Sequence, residues 1–197
     1  VDVALALTVF GVMFVAELPD KTMIATVVMS SRSRSLPVWI GASVAFTLHM
    51  ALACVAGHYL ALLPHKVVEI VVTILFLGGA AYLIFVPEKE ELERGEAEGE
   101  REETGTFLKV AATAFGIIFI GEFGDLTQIL AANFVARYHQ AITVFVAGAL
   151  ALICVSGLAA FSGKALVKVL PLSRIRMGGG ILLAGFGVYS LIKVFTG

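Results

Sequence analysis

The 197-residue chain is 59% hydrophobic, with a mean hydropathy of +0.96 and a formal net charge of −1. A soluble domain is nearer roughly 45–50% apolar, so composition points to a membrane protein and excludes an ordinary soluble enzyme. Nine of the fifteen acids lie between Glu88 and Glu103, and nothing resembles the basic surface that a nucleic acid would need.

Six stretches are long and apolar enough to cross a bilayer: Val3–Met29, Val38–Leu63, Val67–Val86, Phe107–Val135, Ala141–Leu170 and Ile175–Phe195. The expected fold is therefore all-α, with three spans in residues 1–86 and three in residues 107–197. Between them, residues 87–106 read as a solvated acidic linker, since a charge run of this kind is usually a spacer.

The first span contains Glu17-Leu18-Pro19-Asp20-Lys21-Thr22, where charge is least expected. A charged side chain near a bilayer centre costs roughly 2.5–3.5 kcal/mol on insertion scales. The fourth span repeats the pattern as Glu122-Phe123-Gly124-Asp125-Leu126-Thr127. Pro19 and Gly124 occupy matching places, and both weaken a helix interior, so both spans are expected to break or kink there. The second span carries His49 near its middle. Its imidazole reads first as packed and hydrogen-bonded, and second as a proton relay. Cys54 and Cys154 each lie in an apolar run and read as small buried residues, not as a disulfide or zinc framework. Thr26 and Asn133 read as helix-packing contacts, and the many glycines, including Gly178–Gly180, Gly185 and Gly187, as points of close helix approach.

The halves repeat. Glu17, Asp20, Thr22 and Arg32 match Glu122, Asp125, Thr127 and Arg137 at a constant offset, and Gly41, Gly57, Pro64 and Tyr82 fall near Gly148, Gly163, Pro171 and Tyr189. An odd number of spans per half makes the second half enter from the opposite side, giving an inverted repeat. Arg32, Arg34, Lys109, Lys164, Lys168, Arg174, Arg176 and the basic residues of the linker fall on one side, against Lys66, Arg137 and Lys193 on the other. The excess marks the cytoplasmic side, so the termini are expected outside and the linker inside, in a cell membrane of bacterial type.

Residues three apart share a helix face, so Glu17 faces with Asp20 and Glu122 with Asp125. An inverted repeat brings both pairs together near the midplane. Four carboxylates, the hydroxyls of Thr22 and Thr127 and the amide of Gln128 then form an all-oxygen set suited to Ca²⁺, Mn²⁺ or Mg²⁺. Zinc or copper would call for Cys or His. With no ion present, several carboxylates must take up protons, because like charges this close resist joint ionisation. A site tolerable when loaded or protonated, but not when bare, would exchange cation for proton. Lys21 reads first as a fixed counter-charge and second as a side chain that snorkels to a helix end; the competing role for the acids, pairing with Lys21 to knit helices, leaves most of them unserved.

At these motifs the chain resembles the Golgi-type manganese/calcium–proton exchangers and their bacterial relatives, within the cation/calcium exchanger superfamily. Their signature is Glu-x-Gly-Asp-(Lys/Arg)-(Thr/Ser), once in each three-span repeat, with an acidic central loop. Pro19 replaces the glycine of the first copy and Leu126 the basic residue of the second. The resemblance implies Glu17, Asp20, Glu122 and Asp125 as cation ligands with Thr22 and Thr127 in support, Mn²⁺ or Ca²⁺ as substrate, H⁺ as counter-ion, and no cofactor or catalysis. A cation channel and an exporter of small organic solutes are the rival functions on a six-span plan. An intramembrane metalloprotease would need His-Glu-x-x-His, which the sequence does not contain.

Overall fold

A computed structural model describes residues 2–18, 20–85, 93, 97, 105–169 and 172–196. Pro19, Pro171 and nearly all of the acidic linker, with its basic residues, lie outside these. The described residues form eight principal helices and no strand. In chain order they are α1 (Val3–Glu17), α2 (Lys21–Arg32), α3 (Ser35–Leu60), α4 (His65–Phe85), α5 (Phe107–Gly121), α6 (Leu126–Tyr138), α7 (Ala141–Val169) and α8 (Leu172–Thr196).

Both expected breaks are present. α1 ends at Glu17 and α2 starts at Lys21, with a 66° bend between them; α5 ends at Gly121 and α6 starts at Leu126, with a 69° bend. Gly124 sits in the second break at φ +83°, a conformation that other residues enter only at a cost of about 1–2 kcal/mol. Asp20 and Asp125 are the extended residues that open α2 and α6, so each break delivers its aspartate at a helix N-terminus. That is where the backbone dipole favours negative charge.

Packing exchanges partners between the halves. α3 lies against α5 and α6, and α7 lies against α1 and α2; α3 and α7 also pack on each other, as do α4 and α8. Small residues permit this closeness. A Cβ at Gly41 of α3 would run into the Ala111 carbonyl and come within 2.9 Å of the Phe115 backbone nitrogen of α5. One at Gly57 would lie 2.5 Å from the Ala132 carbonyl of α6. Gly180 and Gly187 of α8 receive Ile84 and Leu77 of α4 in the same way, whereas Gly178 and Gly185 have no neighbour so close. The core between the halves is built from Val9 and Met13, Ala42 and Met50, Ala114 and Ile118, Leu130 and Phe134, and Val144 and Leu152, all in one cluster.

The outer face is apolar too. Leu36, Ile40, Val44, Leu48, Leu52, Val55 and Tyr59 form an exposed stripe along α3. A stripe of this kind is stable in lipid, not in water. Cys54 is buried as expected, but Cys154 lies on the exposed face of α7, where lipid can cover a small apolar side chain as well as protein can.

By length and composition, α3 and residues 141–162 of α7 can each cross a membrane, and counting each broken pair as one span makes four. This is a multi-pass membrane protein. The other two of the six expected spans correspond to α4 and α8, whose described apolar stretches, Ile70–Ala81 and Leu183–Phe195, are shorter.

Candidate cation site

The two breaks meet. One carboxylate oxygen from each of Glu17, Asp20, Glu122 and Asp125 lies within 4.8 Å of all the others. Glu17, Asp20 and Glu122 are buried and Asp125 is partly exposed. A regular tetrahedron with 4.8 Å edges has its centre about 2.9 Å from each corner, so an inward movement of a few tenths of an ångström reaches the roughly 2.3–2.6 Å of Ca²⁺–oxygen bonds.

The hydroxyls are placed reciprocally. Thr22, in the first turn of α2, donates to the Glu122 carboxylate and lies 3.4 Å from Asp20 Oδ2. Thr127, in the first turn of α6, stands beside the Glu17 carboxylate without closing a hydrogen bond to it. Both Glu17 oxygens and Glu122 Oε2 are buried without a hydrogen-bond partner. Burying a charged oxygen without compensation is costly. The donor set therefore fits a cation or a proton at the centre. Lys21 Nζ lies 3.7 Å from Glu122 Oε1, so the ammonium reaches the second motif.

Other residues singled out from the sequence lie around this centre. The Gln128 amide bonds the loop, not the cluster: its nitrogen donates to the Glu122 carbonyl, and its oxygen accepts from Gly124 N–H at 3.3 Å. His49 is buried in α3 and stacks on Phe119 with ring centroids 4.5 Å apart, edge-on to Phe123. Its Nε2 lies 3.0 Å from the Phe119 carbonyl, which fixes Nε2 as the protonated nitrogen, and Nδ1 is buried without a partner. Thr26 bonds back to the Thr22 carbonyl at 2.7 Å, while both amide atoms of Asn133 are buried without a partner.

Two features were not legible in the sequence. Phe119 and Phe123 hold the end of α5 against His49. Leu126, at the place equivalent to Lys21, points toward α4, and a Cβ at Gly79 would come within 2.5 Å of Leu126 Cδ1. The Gly78–Gly79 pair was the available signal for that approach.

With this geometry in view, relatives are informative. The family described as divalent cation/proton antiporter GDT1 matches residues 5–91 and 110–197. The chain belongs to this family. Both break motifs fall inside the matched residues. Among curated GDT1-like proteins, C186.05c of Schizosaccharomyces pombe is 36% identical over 76 residues, covering 39% of this chain and 27% of that protein. A second GDT1-like protein of the same organism is 27% identical over 94% of this chain and 81% of its own length. GDT1-like protein 3 of Oryza sativa subsp. indica is 27% identical over 91% of this chain and 71% of its own. No solved structure matches.

Proposed function

We propose that this protein exports a divalent cation, Mn²⁺ first and Ca²⁺ second, in exchange for protons through the site formed by Glu17, Asp20, Glu122 and Asp125. The observation that carries the proposal is the convergence of four mostly buried carboxylates from two helix breaks within 4.8 Å. Thr22 and Thr127 support the acidic ligands, Gln128 holds the second break in shape, and Lys21 supplies a fixed positive charge.

Charge explains the coupling. The four carboxylates and the Lys21 ammonium together carry −3 when fully ionised. One divalent ion brings the site to −1, and so do two protons. The bare site is the costly state in a low-dielectric interior, because buried charge must be paired. If only the loaded and protonated forms reorient, cation and protons cross in opposite directions. Burial of three of the acids supports a carrier over an open channel, whose acids would line water.

The reciprocal packing of α3 on α5–α6 and of α7 on α1–α2 supports two inverted three-span repeats, with α4 and α8 as the third span of each. The excess of basic residues on the linker side supports a cytoplasmic linker with both termini outside, in a plasma membrane. The test is Mn²⁺ and Ca²⁺ flux in proteoliposomes with and without an imposed pH gradient. Gradient-driven flux with counter-movement of protons is expected. Flux that ignores the gradient would indicate a channel, and no flux of either ion would favour an organic solute.

A further inference from the structure

A cavity of about 390 Å³ opens between α4 and the start of α6, lined by Ile74, Leu75, Gly78 and Gly79 on one side and by Gly124, Asp125, Leu126 and Ile129 on the other. Its wall is apolar except for Asp125, which also belongs to the four-acid cluster. Its size falls in the roughly 300–1,000 Å³ range of small-molecule sites. Ile74, on its rim, is 63% exposed halfway along the apolar stretch Ile70–Ala81, so the mouth faces hydrocarbon in the six-span arrangement. Among the described residues, no basic side chain lines the cavity: the residue next to Asp125 is Leu126, where the first motif places Lys21.

An apolar chamber reached from the bilayer and ending in one carboxylate has the chemistry to take an amphiphilic monovalent amine. We propose that this cavity binds a protonated alkylamine, its ammonium donating to Asp125 and its chain lying between α4 and α6. Because Asp125 is shared with the cation site, the amine competes with the divalent ion. The inference rests on the exchange reading above for this competition, but not for binding itself.

The test uses the protein in nanodiscs and proteoliposomes with octylammonium, butylammonium, octanoate and octanol. Octylammonium is expected to raise the apparent KM for Mn²⁺ without lowering the maximal flux. It should act at concentrations on the order of 100-fold below butylammonium, from four methylenes of burial. Membrane partition alone would produce the same chain-length trend, so the deciding comparison is between two glycine variants. A Cβ at Gly78 or at Gly185 meets nothing within 4 Å, but only Gly78 lines the cavity. Gly78→Leu fills the chamber and should weaken octylammonium by roughly tenfold or more, while Gly185→Leu should leave it unchanged. Equal potency of octanol or octanoate, or undiminished sensitivity in Gly78→Leu, overturns the proposal. If the parent shows no exchange, binding is still read from an octylammonium-dependent rise in melting temperature that Gly78→Leu removes. Failure of the exchange reading and failure of the amine site are thus told apart.

Discussion

Glu122→Gln tests the site where its neighbours are best defined. The substitution keeps shape and removes one charge from a buried carboxylate that lies within 4.8 Å of three others and 3.7 Å from Lys21 Nζ. Two unit charges 4 Å apart interact by about 4 kcal/mol at an effective dielectric of 20, so a divalent ion gains about 8 kcal/mol from this carboxylate at that distance and about 13 kcal/mol at roughly 2.5 Å. Part of that gain is offset in the proposed exchange, where the empty parent site holds protons that binding must displace and the variant has fewer to displace. The remainder is about 3–5 kcal/mol, the usual cost of removing one partner of a buried charge pair. Mn²⁺ affinity should fall by roughly 10²–10⁴-fold, at about 1.4 kcal/mol per decade. Calorimetric titration in nanodiscs measures this. Metal-free melting separates it from misfolding: removing a carboxylate crowded by three others should leave the melting temperature unchanged or higher. A variant that binds Mn²⁺ as tightly as the parent would refute the reasoning.

Three further predictions follow from the packing. Gly41→Ala would drive a methyl into the Ala111 carbonyl and should destabilise the fold by about 1–3 kcal/mol, read as lost melting temperature, whereas Gly11→Ala, with nothing within 4 Å, should be close to neutral. Gly124→Ala has room for its methyl but must hold φ near +83°, so it should cost about 1–2 kcal/mol and loosen Mn²⁺ binding by tilting the second break. His49→Phe loses the 3.0 Å contact to the Phe119 carbonyl and should cost about 1 kcal/mol while proton coupling persists; uncoupled flux with intact binding would make His49 the relay.

Much of this architecture was written in the residues. Two Glu-x-x-Asp-x-Thr runs inside apolar segments, each with a helix-weakening residue between the acids, announced both breaks and the set of converging carboxylates. Periodicity cannot say which partner a lysine chooses. Lys21 turns to Glu122, from the other half of the chain, because the 66° bend carries α2 across to the second break. Nor could it show that Gln128 spends its amide on the loop backbone, since an amide three residues past an aspartate suits either use. Glycine content pointed to close packing but not to its location: Gly41, Gly57 and Gly79 sit at tight contacts, while Gly178 and Gly185 do not. The cavity beside Asp125 is bounded by Leu126 and Ile129 on one side and by Gly78 and Gly79 on the other, a juxtaposition set by three-dimensional register that no local pattern encodes.

The most direct test of the central claim counts protons. Purified protein in a weakly buffered solution, near the pH where exchange is fastest, is titrated with Mn²⁺ while pH is recorded. Because ligand carboxylates must lose their protons to hold a metal, the account predicts release of about two protons per ion bound, and none from Glu122→Gln at ion concentrations that saturate the parent. Mn²⁺ binding at full affinity without proton release would contradict exchange at this site.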